Sequence, residues 1–249
     1  MTQETKMKNA GALIRCCVRK TLHGLFIVAV VMYSLPALGQ TGKLTAIKLN
    51  EPDKKRGLPF METLSVKASA REWSDQELSL QDLSDLLWAA NGVNRPEEKK
   101  YTASSAMNAH DVDIYVFMKG GVYIHDADTH VLNPLLEGDF RSELMKTPPP
   151  RPADSTGAPP PPRHAPDNAP IQIILVSDAD RFRMGPPELK YEWGAIDAGI
   201  VSQNISLFCA ATGLKTRPRA SMDKEKIKKL LNLKDTQYVL LNHPVGYAK

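Results

Sequence analysis

Two cations and a hydroxyl fall within five residues at Lys67, Ser69 and Arg71, in the segment KASAR. A phosphate dianion needs positive charge and a hydroxyl donor within one turn of chain, and this spacing offers both. Taken alone, the triplet fits a solvated basic loop equally well. A second polar group is Ser104, Ser105 and Asn108 in TASSAMN. In isolation such side chains are turn formers that bond their own backbone. A third is Arg217 and Arg219 in KTRPRA, whose charges suit an anion or simply the surface. The other chemistry-bearing residues are dispersed. His110, His125, His130, His164 and His243 share no metal-ligand spacing, so no metal is expected. His110 alone stands beside one of the polar groups and is the candidate for proton delivery. Cys209 lies between Phe208 and Ala210 with no His, Asp or Glu adjacent. It reads as a small core hydrophobe and not as a nucleophile. No G-x-G-x-x-G follows a strand, which excludes a Rossmann cofactor motif.

These groups need a frame, and the segment AIDAGIVSQNISLFCAATGL at 195–214 supplies its centre. Ile196, Ile200, Val201, Ile205, Leu207 and Phe208 spread around a whole helical circumference. Gly194, Ala198, Gly199, Ala210 and Ala211 are interleaved with them. A helix apolar all round is buried on every side, and its small residues mark close approach of other backbones. Gly213 stands at the left-handed cap position and ends it. The covering surface such a helix needs predicts an obligate homodimer with 199–211 near the interface.

The remaining elements are short. Leu58, Met61, Leu64 and Ser65 suggest an amphipathic helix with Pro59 in its first turn. The segment 66–73 reads as a turn. Ser79 caps a helix whose apolar face is Leu80, Leu83, Leu86, Leu87 and Ala90, ended by Asn91-Gly92. DIYVF at 113–117 and VYIH at 122–125 flank Lys119-Gly120-Gly121, a hairpin pattern, and 132–136 extends it. IQIILV at 171–176 is an unbroken apolar run fit for a central strand. A basic amphipathic helix at 223–231 and a strand at 237–241 complete the set. Irregular alternation of helices and strands favours α+β over a doubly wound sheet.

The two unusual stretches lie outside that frame. Arg15, Arg19 and Lys20 precede an apolar run from Leu25 to Leu35, followed by small residues at Ala37 and Gly39. Residues 1–39 therefore read as a secretory signal. The apolar run is shorter than the roughly 20 residues that span a bilayer. An exported, periplasmic or secreted protein is expected, with no stable membrane span after cleavage. Residues 40–57 read as an extended lead-in to a domain at 58–249. Within it, 147–170 is a proline-rich insert, expected to be loosely extended because proline donates no backbone hydrogen bond. The formal net charge of +4 is spread among acidic residues, which leaves no nucleic-acid footprint.

Taken in order, three segments together resemble the nitroreductase superfamily. KASAR is similar to its R-R-S-x-R loop, and LLWAANGVNR followed by TASSAMN to its L-L-W-A-A-x-G-x-N-R and S-S-A-x-N elements. The central helix is similar to its dimer-core helix. The second of these is similar to the dehydrogenase branch that includes thiazoline oxidases. The resemblance implies a nitroreductase-like α+β fold with a central antiparallel or mixed sheet, surrounding helices and a homodimer. It implies an FMN-dependent oxidoreductase that passes hydride through flavin N5, by ping-pong exchange with a small organic substrate. Lys67, Ser69 and Arg71 would hold the phosphate and ribityl chain, with Ser104, Ser105 and Asn108 beside the flavin. A backbone amide near Arg219 and Ala220 would face N5, and Arg217 and Arg219 would add charge. Lys67 replaces the usual arginine and loses its bidentate fork. The chain reaches only Lys249 where relatives place a further basic residue. A non-catalytic member that presents the proline-rich segment to a partner is the alternative.

Overall fold

The apolar run at 171 forms an interior strand of a seven-stranded sheet in the computed structural model, which describes residues 43–145 and 169–249. The strands are β1 (Ile47–Lys48), β4 (Val112–Met118), β5 (Gly121–Asp126), β6 (Val131–Glu137), β7 (Ile171–Asp178), β8 (Lys215–Thr216) and β9 (Gln237–Gly246). Their order is β1-β6-β5-β4-β7-β9-β8, and every pairing is antiparallel. A small separate hairpin joins β2 (Val93–Arg95) to β3 (Lys100–Tyr101). Both faces of β7 are covered. Ile171, Ile173 and Leu175 enter one apolar cluster, and Ile174 and Val176 enter the other. A strand buried on both faces shows no period-two alternation, which is why its sequence reads as one continuous run.

Among the described residues four α-helices accompany the sheet: α1 (Phe60–Val66), α2 (Leu80–Asn91), α3 (Pro187–Thr212) and α4 (Lys224–Leu230). Ser79 caps α2 as expected, its Oγ accepting from Asp82 N at 3.0 Å. Asp223 does the same for α4, accepting from Lys226 N at 3.1 Å. Gly213 ends α3 in the left-handed region at φ 80°. Gly92 ends α2 for a different reason from the one expected. Its φ of −87° is ordinary, but a Cβ there would lie 2.5 Å from Trp88 Cδ1 and 2.7 Å from Trp88 Cα.

The central helix α3 differs from its sequence reading in two respects. It begins at Pro187, well before Ala195, because Pro187 occupies the first helical turn, where its missing N–H costs nothing. Within one chain it is also not buried all round. Gly194, Asp197, Ala198, Val201, Ser202, Ile205, Ser206 and Cys209 form one buried stripe. Ile196, Gly199 and Gln203 face solvent on the other side, with Ile196 54% exposed. Helix α1 departs further. Thr63 is its one buried residue, and Phe60 and Met61 are 64% and 74% exposed.

From residue 43 onward the lead-in is folded onto the domain. β1 pairs with β6, and Asn50 N donates to Ser84 Oγ at 2.9 Å. Arg56 bridges Asp82 at 2.6 Å and Asp85 at 2.7 Å. The polar residues of α2 thus bind a strap that the apolar pattern did not reveal. Residues 1–39, expected to be a signal, and residues 147–168 of the insert lie outside the described residues. Ala169 and Pro170, the last two residues of that insert, are buried, and Arg141 Nη1 donates to the Pro170 carbonyl at 2.9 Å. β7 starts directly after them.

Candidate functional site

The Lys67–Arg71 loop follows the end of α1 and is stitched to the strand that follows α3. Ala70 N donates to the Thr216 carbonyl at 2.9 Å, and Trp73 Nε1 to the Lys215 carbonyl at 2.9 Å. Trp73 is buried and anchors the loop, while Ser74 N donates to the Tyr247 carbonyl at 3.1 Å. These ties bring together segments more than a hundred residues apart. Between them lies a cleft of about 550 Å³. Ser206 and Cys209 of α3 form its floor, Ser69 and Arg71 one wall, and Lys215 and Lys249 the rim. The side-chain charges of Arg71, Lys215 and Lys249 have no hydrogen-bond or ion-pair partner among the described residues, and Glu72 is the one acid among the residues lining the cleft. The carboxyl end of α3 brings the negative pole of the helix toward this cleft, so anion binding there depends on those side-chain cations. Lys67 is exposed and does not line the cleft, although its charge reaches His243 behind it.

The wall behind the cleft is polar, and its buried groups are hydrogen-bonded except for Asn242 Nδ2, which has no partner among the described residues. His243 is fully buried, its Nε2 sharing a hydrogen bond with Ser202 Oγ at 2.8 Å and its Nδ1 with Thr216 Oγ1 at 3.1 Å. Burial pushes its pKa down to about 3, so the ring is neutral and ties α3 to β8 and β9. Burial also raises the Cys209 thiol far above its ordinary range, in keeping with a core residue. Arg219 points inward. Its Nε donates to Asn242 Oδ1 at 2.8 Å and its Nη2 to Gln172 Oε1 at 3.4 Å. Its backbone N–H donates to the Asn242 carbonyl at 3.0 Å. That amide is therefore committed, and of the two expected near N5 it is the Ala220 N–H that has no acceptor among the described residues. Neither Arg217 nor Arg219 lines the cleft.

Ser104, Ser105 and Asn108 lie elsewhere, against the amino-terminal half of α3. Ala106 N donates to Asp197 Oδ2 at 2.8 Å. Ser105 Oγ accepts from His110 N at 2.9 Å, and Asn108 Oδ1 from Lys100 Nζ at 2.6 Å. Met107, Asn108 and His110 have positive φ, so this loop holds strained backbone around its polar side chains. Beneath it, Asp111 and Asp197 are buried together, and Ser177 Oγ donates to Asp111 Oδ2 at 2.5 Å. Burial, and then the neighbouring Asp197, raise the Asp111 pKa to about 7. Gly194 makes room for this group, since a methyl there would overlap Ser177 Oγ.

A sequence model of the nitroreductase family matches residues 65–247, from the basic loop to the end of the last strand. The chain belongs to the nitroreductase family. A nitroreductase-like protein of Methanocaldococcus jannaschii is 26% identical over 191 residues, covering 74% of this chain and 89% of that one. A solved nitroreductase-like protein of Ralstonia eutropha superimposes with a TM-score of 0.69 at 30% identity, covering 83% and 90% of the two chains. A chain of the Escherichia coli microcin synthetase complex shares the fold at a TM-score of 0.57 and 15% identity, covering 82% and 79%. Membership supports a flavin-dependent oxidoreductase in general terms. The cleft gathers Ser69 and Arg71, which sequence reading singled out, and Lys249, which it did not assign to the site. It adds Lys215 and Ser206, which carried no signal beyond their proximity to Gly213. His243 and the Asp111–Asp197 pair were likewise invisible, because a lone polar residue in an apolar run does not announce its partner.

Proposed function

We propose that the chain is an FMN-dependent oxidoreductase whose cofactor phosphate occupies the cleft at the carboxyl end of α3. The observation that carries this reading is the set of three side-chain cations without partners among the described residues, Arg71, Lys215 and Lys249, around a hydroxyl at Ser69. Unpaired cations converging on one cleft suit a dianion, and charge-assisted bonds to it would be the strongest contacts available. Bound FMN supplies hydride acceptance and donation at N5. The chain supplies the phosphate charge, the backbone amide of Ala220 and the shape of the cleft. The substrate is a small organic molecule exchanged by a ping-pong cycle. If the chain is exported, its donor lies outside the nicotinamide pool of the cytoplasm.

The loop of Ser104, Ser105 and Asn108 cannot reach this cleft in the same chain. It leans on Asp197, and the cleft floor is Cys209, twelve positions along α3 and about 18 Å away. Gln203 lies midway and is exposed. Two copies of α3 crossing antiparallel at Gln203 on a two-fold axis would set Asp197 of each beside Cys209 of the other. Ser105 and Asn108 of a second copy would then face the cofactor. The exposed stripe Ile196, Gly199 and Gln203, together with the apolar face of α1, supports that pairing. Static light scattering is expected to give twice the monomer mass at micromolar concentration. A well-folded monomer would overturn the two-chain site.

The purified protein is expected to be yellow, or to turn yellow with the absorption bands of bound flavin when FMN is added. Steady-state assays with a panel of donors and nitroaromatic or quinone acceptors then define the reaction. A colourless protein that takes up no FMN would remove the enzyme reading and leave the scaffold alternative.

A further inference from the structure

The hydrogen-bond donors around the buried pair Asp111 and Asp197 leave one oxygen unserved. Ser177 Oγ gives its single hydrogen to Asp111 Oδ2. Ala106 N donates to Asp197 Oδ2 at 2.8 Å. Asp111 Oδ1 is enclosed and has no partner among the described residues. The two carboxyl groups nevertheless lie within hydrogen-bonding reach of each other. Asp111 is 0% and Asp197 3% exposed, so water does not make up the difference. An enclosed carboxylate oxygen without a donor is costly, and two ionised carboxylates in contact are costlier. A single proton between the two groups removes both penalties. It gives the orphaned oxygen a donor and leaves the pair with one negative charge.

The elements packed against the pair offer no other counter-charge to it. Asp197 is the one charged residue on the buried stripe of α3. β7 brings Ser177, already spent, and Asp178, whose Oδ1 accepts from Asp180 N at 3.1 Å. Arg181, just after β7, feels the charge of Asp111 but is committed elsewhere. Its Nη2 donates to both oxygens of Asp113, at 2.7 and 2.8 Å, and its Nη1 to the His110 carbonyl at 2.6 Å. Neither nitrogen of the His110 ring has a hydrogen-bond partner, and burial holds its pKa below the ordinary value, so it adds no cation at neutral pH. Lys100 Nζ, on the loop side, donates to Asn108 Oδ1 at 2.6 Å.

We propose that Asp111 and Asp197 hold one proton between them, and that this proton is a pH-sensitive latch fastening the loop at 104–110 to α3. The fastening is the Ala106 N–H bond to Asp197. The loop it secures is under strain, with φ of 54° at Met107, 55° at Asn108 and 48° at His110. Such backbone persists only where its surroundings hold it. Loss of the proton sets two like charges against each other in a buried site. Asp197 then parts from Asp111, Ala106 loses its acceptor and the loop relaxes. Ser105 and Asn108 ride on this loop, so on the two-chain reading above the same proton sets when they stand at the cofactor. The latch itself lies within one chain and is measured without flavin, so it stands or falls separately from that reading.

The test uses the full chain, with aspartate ¹³C-labelled at the side-chain carboxyl. The signals of Asp111 and Asp197 are assigned by their loss in Asp111→Asn and Asp197→Asn. Burial, and then the contact with Asp197, put the expected step near pH 7, well above the other aspartates. Hydrogen exchange of the Ala106 amide reads the latch, referred to the Ile174 amide in the sheet core. From about pH 6 to about pH 8.5 its relative protection is expected to fall at least about tenfold, the worth of one pKa unit. Asp111→Asn keeps an acceptor for Ser177 and presents an amide donor to Asp197, so it imitates the protonated pair. Its Ala106 protection is expected to stay level over the same range. If that variant does not fold, Asp197→Asn, which keeps the acceptor for Ala106 and donates to Asp111, takes its place. No carboxyl step above about pH 6, unchanged Ala106 protection across the step, or an equal fall in the folded Asn variant would overturn the proposal.

Discussion

On acidification from about pH 7 to about pH 4.5, the wild-type protein is expected to lose stability that a His243→Gln variant does not lose. His243 is fully buried and neutral, with a folded pKa near 3 against an ordinary 6.5. A group with a depressed folded pKa binds fewer protons in the folded state. Its contribution is therefore complete above pH 6.5 and lost as pH falls toward 3. Each pKa unit is worth about 1.4 kcal/mol, so two units below 6.5 remove about 3 kcal/mol. His125 has the same sign and the same direction of loss. Asp111 runs the other way: its folded pKa near 7 exceeds the ordinary 3.8, so its contribution is complete below 3.8 and lost as pH rises through 7. Two histidines against one carboxyl leave a net acid loss. Urea unfolding at several pH values measures it. The variant starts less stable, because Gln cannot serve both Thr216 and Ser202, but its pH slope should be shallower by His243's share. Parallel slopes would show that His243 does not titrate as a buried neutral ring.

Arg71→Ala is expected to weaken FMN binding by about 1.5–3 kcal/mol, the range for a hydrogen bond to a charged group. That is a tenfold to hundredfold rise in Kd, on the order of one decade per 1.4 kcal/mol. Arg71 is exposed and has no partner within the described chain, so its removal disturbs no internal contact. Thermal stability without cofactor should stay within about 0.5 kcal/mol of wild type, as for other surface changes. Arg219→Ala provides the contrast. Its guanidinium serves Asn242 and Gln172 inside the fold, so it should lower stability first and affinity only through that. Fluorescence titration of FMN against both variants separates the two roles. An unchanged Kd in Arg71→Ala would place the phosphate elsewhere.

What the sequence by itself determined is local. Ser79, Asp223 and Gly213 terminate helices through atoms within one turn of themselves, so their types and positions were sufficient. The apolar run at 171 announced a strand buried on both faces, and the ordered motifs around 67–71, 80–108 and 195–214 announced the family. Tertiary structure decided what depends on distant segments. Strands of two residues, such as β1 and β8, have no pattern of their own and exist because β6 and β9 offer open edges. The apolar residues of α1 read as core from spacing alone, yet one chain leaves them exposed, because spacing says which residues share a face and not what covers it. Ser69, Arg71, Lys215 and Lys249 line one cleft only because Ala70 and Trp73 bond to β8. The same packing set Ser104, Ser105 and Asn108 apart from them, at the other half of α3. Hydrogen bonds and burial across more than a hundred residues leave no local trace in the chain, so Ser69 and Arg71 could be named as candidates from sequence, while Lys215, Ser206 and the grouping of all four could not.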